Sequence, residues 1–139
     1  MSLARCFNVD DFRKLAKKRL PSPIFNYIDG GADDEVTLKR NTSAFNDCDL
    51  LPSVLRDVSS IDMSTTVFGQ KIDMPLFLAP TAMHRLYHHD GEKATSRAAE
   101  KFGTFFGMST IATTSIEEVG NLTGGPKLFQ LYIHKDRGL

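Results

Sequence analysis

The sequence predicts an α/β protein: a helical N-terminal segment followed by the start of a parallel sheet. Three observations predict it. Met74-Pro75-Leu76-Phe77-Leu78-Ala79-Pro80-Thr81-Ala82-Met83 contains a short apolar run closed by a proline. Such a run reads as a strand buried on both faces, and proline, with no N–H for a ladder, belongs at a strand's end. After Pro75, strand-like and helix-like patterns alternate at the spacing of βαβ units. Before it, apolar residues recur at helical spacing between capping signals.

In chain order, Asn8 is placed as an N-cap, with Asp10 and Asp11 at the positive end of a helix dipole. Val9, Phe12, Leu15, Ala16 and Leu20 then share one face, Arg13, Lys14, Lys17, Lys18 and Arg19 the other, and Pro21 ends the helix. Ser22-Pro23 restarts a helix carrying Ile24, Phe25, Tyr27 and Ile28. Gly30-Gly31 closes it with the left-handed residue that helix ends often need. Asp33-Asp34-Glu35 opens a third helix, with Val36, Leu38, Ala44 and Phe45 directed inward. From Cys48 to Asp73 the pattern is irregular. Leu50, Leu51, Val54, Leu55 and Val58 are placed to run along the outside of a sheet, and Thr65–Ile72 reads as a hairpin turning at Gly69-Gln70.

The remaining elements are strand Leu76–Ala79, a polar loop His84–Asp90 and a helix Gly91–Phe102 with Ala94, Ala98, Ala99 and Phe102 apolar. Gly103 caps that helix. Strand Thr104–Met108 follows, then a helix Ser115–Leu122 with Ser115 and Glu118 spaced as a capping box, a turn at Gly124-Gly125-Pro126, and strand Leu128–Ile133. Lys135-Asp136-Arg137 begins a further element. The boundary between the helical and hairpin segment (1–73) and the strand–helix segment (74–139) falls at Asp73. Three strands cannot close a barrel, so this rhythm makes either an open three-stranded sheet or the front of a longer fold.

At 139 residues, 41% hydrophobic and 24% charged, the chain has the composition of a globular domain. Lys plus Arg equals Asp plus Glu at 17 each, which leaves no electrostatic footprint for nucleic acid. The apolar runs are too short for a membrane span, and Met1–Cys6 lacks a secretory apolar stretch. Cys6 and Cys48 have no metal-ligand spacing and are expected as free thiols in a reducing cytoplasm.

Three strand ends would share one rim: Pro80-Thr81-Ala82, Ser109-Thr110, and Gln130 with Tyr132. They offer hydroxyls, an amide, a phenol and backbone N–H groups, an inventory suited to a neutral heterocycle rather than to phosphate. The ordinary polarity of strand ends accounts for the same residues. Tyr27 fits a helix tyrosine with a wet tip, or a phenol that holds a carboxylate. His84 and His88 have the i,i+4 spacing of a metal pair, but Tyr87 and Asp90-Gly91 indicate a loop without further ligands, and no metal site is expected.

Tyr27-Ile28-Asp29-Gly30-Gly31-Ala32-Asp33-Asp34-Glu35 resembles a signature of the FMN-dependent L-2-hydroxy acid oxidases and dehydrogenases, the family of glycolate oxidase and the L-lactate and mandelate dehydrogenases. Leu20-Pro21, Asn41, Asp57-Val58-Ser59, Met74-Pro75, Leu78–Met83, Gly91-Glu92, Ser109-Thr110, Ser115–Val119, Phe129–Tyr132 and Lys135-Asp136-Arg137 agree in the same order. The resemblance implies a TIM (β/α)₈ barrel preceded by helices, of which this chain holds the N-terminal part with the first three β/α units. It implies FMN across the carboxyl rim, with Pro80, Thr81 and Ala82 lining the flavin and the Ala82 N–H near N5. Ser109 and Gln130 match residues on the polar edge of the isoalloxazine. Tyr27 matches a phenol on the substrate carboxylate, and Tyr132 a phenol on the substrate hydroxyl or developing carbonyl oxygen.

The implied partners are a small 2-hydroxy acid, the remainder of the barrel, and further copies of the completed chain. The implied location is the cytoplasm or the inner face of a membrane. Two departures bear on this. Ile111 stands where glycolate oxidases have an aromatic residue facing the substrate, which points toward lactate or larger acids. His84 stands where many relatives have glutamine. No residue matches the family's base histidine, so the 139-residue chain is expected to be inactive alone. The alternative from another class is a non-enzymatic half-barrel that buries its open sheet edges against a partner.

Overall fold

The computed structural model describes residues 3–136, so Arg137 lies outside the described residues. They form two compact units, divided between Asp57 and Val58.

The first unit is helical. Helix α1 (Val9–Arg19) begins where the Asn8 side chain accepts the Asp11 N–H at 2.9 Å, so an orphan donor of the first turn is satisfied. Of its expected inward face only Leu15 is buried; Val9 and Phe12 are exposed. Helix α2 (Ser22–Asp29) starts one residue earlier than a serine cap would place it. Pro21 is the cap, and Phe25 is the buried anchor. Gly30 ends α2 in extended rather than left-handed backbone (φ −80°). A Cβ there would stand 2.9 Å from the Asn26 carbonyl oxygen, so close approach is what requires glycine. Helix α3 (Val36–Ser43) begins after Glu35, because Asp33 and Glu35 both have positive φ and cannot continue a helix backwards. Leu38 is half-buried, whereas Val36, Ala44 and Phe45 are exposed. An Arg13–Asp29 ion pair (2.5 and 3.0 Å) ties α1 to the end of α2, and the Glu35 carboxylate accepts the Gly31 N–H at 3.1 Å. The Tyr27–Glu35 signature thus acts locally as a hydrogen-bonded corner. Leu50, Leu51, Val54 and Leu55 are exposed, as is Val58 at the start of the second unit.

The second unit opens with the hairpin β1 (Thr65–Val67) and β2 (Gln70–Ile72). Its turn is Phe68-Gly69, one residue before the expected pair; φ is +51° and +75°, the two positive values a two-residue type I′ loop requires. The hairpin lies within this compact unit. Ile72 is buried, and the Asp73 N–H donates to Gly103 O at 2.8 Å.

The sheet that follows is parallel. Strand β3 (Phe106–Met108) pairs with β4 (Lys127–Phe129) in the register Phe106↔Lys127, Gly107↔Leu128, Met108↔Phe129. On the other side of β3, Leu76–Ala79 makes only one bridge, Leu78↔Phe106, with Leu78 N–H to Phe105 O (3.1 Å) and Gly107 N–H to Leu78 O (2.9 Å). The expectation of a strand buried on both faces is therefore corrected. Among the described residues the segment has a neighbour along one edge, and Leu76 and Phe77 are 58% and 47% exposed. Likewise the third strand ends at Phe129, and Leu131 and Ile133 are exposed.

Helix α4 (Gly91–Lys101) and helix α5 (Ile116–Leu122) pack beside the sheet, with Ala99, Phe106, Met108 and Val119 as the core. Of the apolar residues Ala94, Ala98, Ala99 and Phe102 only Ala99 is buried. Glu92 and Ser96 are buried with Ala99, while Ala94, Ala98 and Phe102 are exposed. Gly103, in the left-handed region at φ +58°, ends α4. The capping box of α5 forms as expected, with Ser115 and Glu118 exchanging hydrogen bonds at 3.1 and 3.4 Å. Among the described residues no helix is long and apolar enough to cross a membrane, and no disulfide joins Cys6 to Cys48.

Candidate rim site at the strand ends

Parallel pairing carries three chain segments past the same edge of the sheet. Pro80-Thr81-Ala82 follows the Leu78 bridge, Ser109-Thr110 follows β3, and Gln130 follows β4. The last two are joined directly. The Gln130 N–H donates to Met108 O at 2.8 Å, and the Ser109 hydroxyl donates to Gln130 Oε1 at 3.4 Å. Gln130 Oε1 also accepts the Thr110 N–H at 3.3 Å. The Thr110 hydroxyl donates to Gln130 O at 2.5 Å and accepts the Tyr132 N–H at 3.1 Å. Ser109 is buried and Gln130 half-buried, so the amide is held by its oxygen while its Nε2 donors have no partner among the described residues.

The Pro80 corner is fixed differently. Thr81 N–H donates to Ala79 O (2.8 Å) and Met83 N–H to Ile111 O (3.1 Å), which leaves the intervening Ala82 N–H without a partner among the described residues. Met83 has φ +51°, so the chain turns sharply there, and Ala82 and Thr81 are half-buried. The corner lies tight against β3. A Cβ at Gly107 would stand 2.5 Å from Leu78 O and 2.8 Å from Pro80 N. The rim therefore offers a backbone donor at Ala82 and an amide NH₂ at Gln130, both without a partner among the described residues. That donor set fits the acceptor-rich edge of a flavin.

Tyr132 belongs to the same rim, tied through its N–H to Thr110, with its side chain 52% exposed. Tyr27 lies in the first unit, on α2, 59% exposed. His84 Nδ1 is 3.2 Å from Thr95 Oγ1, and its ring packs edge-on against Phe106. His88 and His89 stack on each other beside Asp90, all three exposed.

Thr110, expected at the rim, bonds both Gln130 and Tyr132, and one participant, Glu92, escapes the sequence reading. Glu92 entered only as part of a motif, yet its carboxylate is buried, the residue being 1% exposed. It accepts Thr113 N–H (2.8 Å), Thr113 hydroxyl (2.7 Å), Thr114 hydroxyl (2.9 Å) and His84 N–H (3.3 Å). Burial alone would push its pKa up; the donors of Thr113 and Thr114 outweigh it and hold the carboxyl at about 2. The available signal was a glutamate on an otherwise small-residue helix face, with a Thr-Thr pair one strand later.

Comparison with known proteins agrees with this architecture. Glycolate oxidase 1 of Oryza sativa subsp. indica is 48% identical over 132 residues, covering 95% of this chain and 36% of that protein. Glycolate oxidase of Spinacia oleracea is 45% identical with the same coverage. A (putative) lactate oxidase from Pediococcus acidilactici superimposes with a TM-score of 0.86 at 36% identity, over 94% of this chain and 37% of that one. A soluble mutant of the membrane-associated (S)-mandelate dehydrogenase from Pseudomonas putida gives 0.85 at 40% identity, over 93% and 37%. The chain thus spans about 36% of the length of the curated relatives it matches, and its fold is the N-terminal portion of a TIM-barrel flavoenzyme. With the profile of the FMN-dependent dehydrogenases matching residues 16–139, the chain belongs to that family.

Proposed function

We propose that this chain is the N-terminal portion of an FMN-dependent oxidoreductase that oxidises an L-2-hydroxy acid, lactate-like in size, to the 2-oxo acid. The observation that carries the proposal is the rim itself: an unpartnered Ala82 N–H and an unpartnered Gln130 amide on one edge of a parallel sheet. FMN, when bound, supplies the acceptor for the hydride equivalent leaving the substrate Cα, at its N5. Pro80, Thr81 and Ala82 line the flavin, and the Ala82 N–H donates toward N5. Ser109 and Gln130 serve the polar edge of the ring, with the Gln130 NH₂ donating to a ring acceptor. Fixed donors at that edge favour the electron-rich reduced ring without reorganising during the reaction.

Tyr27 holds the substrate carboxylate, and Tyr132 holds the hydroxyl and stabilises the oxygen as it becomes a carbonyl. A phenol does both without bringing a competing negative charge. Ile111, 43% exposed at the mouth of the β3 loop, leaves more room than an aromatic side chain would, which favours lactate or larger acids over glycolate.

Neither a general base nor a phosphate site is assigned to these residues, so residues 1–139 alone are inactive and hold FMN weakly. Completion by the remainder of the barrel restores both, in a homo-oligomer located in the cytoplasm or against the inner face of a membrane. The test uses the protein expressed from its complete gene. The reading requires a bound-flavin absorption spectrum and stoichiometric bleaching by L-lactate without air. A colourless product from a gene that stops at Leu139 would sink it.

A further inference from the structure

Glu92 lies at the start of α4, and its carboxylate accepts hydrogen bonds from two different rim loops. From the loop after Leu76–Ala79 it accepts the His84 N–H. From the loop after β3 it accepts the Thr113 N–H and hydroxyl and the Thr114 hydroxyl. Since the Thr113 hydroxyl donates to Glu92, its lone pairs are free to take a donor from the other loop, and the Arg85 N–H occupies one at 3.2 Å. The Met83 N–H to Ile111 O bond closes the same seam. One buried carboxylate therefore sits where the loop carrying Ala82 meets the loop carrying Ser109.

We infer that Glu92 is a positioning residue that couples these two loops, so that the Ala82 N–H and the Ser109–Gln130 pair keep a fixed spacing. The functional consequence rests on the flavin reading of the rim given above; the coupling itself does not. A carboxylate suits the task because it is acceptor-only, with four lone-pair sites, and every group facing it is a donor. Its depressed pKa keeps it in that acceptor-only form throughout the neutral range. An amide in its place turns one oxygen into a donor that faces Thr113 and Thr114, leaving donors unpaired inside the seam.

The test is amide hydrogen exchange, read residue by residue by NMR on residues 1–139, for wild type, Glu92→Gln and Thr114→Val, each without and with millimolar FMN. Thr114 touches only one side of the seam, so Thr114→Val asks whether a change in one loop reaches the other. The expected result is that Glu92→Gln speeds exchange at His84, Arg85 and Thr113 by about tenfold or more. Thr114→Val should speed His84 by about threefold, and in both variants Gly107 and Val119 should keep their wild-type rates. In wild type, FMN should shift the Ala82 and Thr110 amides, and Glu92→Gln should weaken that response about tenfold.

Acceleration confined to Thr113 and Thr114, or spread equally over Gly107 and Val119, overturns the coupling; the first means no linkage and the second mere loss of stability. If Glu92→Gln fails to fold, the His84 rate in Thr114→Val decides alone. A wild-type chain whose rim ignores FMN while the exchange pattern holds refutes the flavin reading and supports the coupling.

Discussion

Gly107 is the residue on which the Pro80-Thr81-Ala82 corner leans. Gly107→Ala places a methyl 2.5 Å from Leu78 O, 2.8 Å from Pro80 N and 3.0 Å from Ala79 C. These are backbone atoms, so no side chain can swing aside. Carbon–oxygen contacts need about 3.3 Å, so the Leu78–Pro80 backbone must retreat by about 0.8 Å. Such overpacking costs about 1–3 kcal/mol, and stretching the Gly107 N–H to Leu78 O bond adds about 1 kcal/mol. Restricting the unfolded chain returns about 0.4–1 kcal/mol. The balance is a destabilisation of about 2 kcal/mol. With an m-value of roughly 2 kcal/mol per molar, the urea midpoint of the second unit should fall by about 1 M with the slope unchanged. Circular dichroism on wild type and variant reads this directly. In the completed enzyme, an Ala82 N–H displaced by nearly 1 Å should lower turnover by about 10- to 100-fold. An unchanged midpoint, or an unchanged flavin spectrum with unchanged turnover, would refute the argument that β3 seats the corner.

Three other outcomes follow from the same geometry. In the completed enzyme Tyr27→Phe should raise KM and Tyr132→Phe should lower kcat, each by about 1–3 kcal/mol of lost binding to the substrate group; wild-type kinetics with a lowered melting temperature would make both tyrosines structural. Ser115→Ala removes one half of the α5 capping box and should cost about 0.5–2 kcal/mol in urea unfolding, because α5 holds the buried Val119; no change would mean that the box is redundant. The Glu92 carboxyl lies at about 2 in the folded chain against an ordinary 4.5, so its contribution is complete above pH 4.5 and is lost as pH falls toward 2. That interval corresponds to about 3 kcal/mol at about 1.4 kcal/mol per unit. Asp10, Asp62 and Glu118 are also held low, by Lys14, Ser64 and Lys93, so Glu92's share is the difference between wild type and Glu92→Gln in unfolding measured from pH 6 to 2.5. Parallel acid profiles for the two would contradict it.

Three helix ends were legible in the sequence because their causes are local. Asn8 caps α1, Ser115 and Glu118 cap α5, and Gly103 stops α4, each through atoms within four residues of one another or through one backbone angle. The face that a helix buries was not legible to the same degree. Ala94, Ala98 and Phe102 look inward by composition, yet Glu92 and Ser96 take the buried side of α4. The reason lies more than twenty residues away, in Thr113 and Thr114, whose donors make a buried carboxylate tolerable. The Leu76–Ala79 segment shows the converse. Its composition suits cover on both faces, but among the described residues it has one neighbour, and with Met74, Ala98 and Phe102 it lines an apolar hollow of about 380 Å³.

The candidate site divides along the same line. That three strand ends share a rim follows from alternation and parallel pairing, and this much spacing alone could predict. Which polar groups are spent on holding the rim, and which are left for a ligand, depends on contacts across about twenty residues. Gln130 shows the distinction most sharply. Its oxygen is consumed by Ser109 and Thr110, so what it presents outward is an amide donor. Ala82 reaches the same condition by another route, since Thr81 and Met83 on either side each spend their N–H on a neighbour and Ala82 does not. Both features are therefore donors, whereas the residue type of Gln130 alone left donor and acceptor equally open. A ligand that meets this rim must bring acceptors to it, and a flavin's pyrimidine edge and N5 do so at separated points. A ligand that brought only donors would leave Ala82 and Gln130 unpaired, at a cost of about 1–3 kcal/mol each.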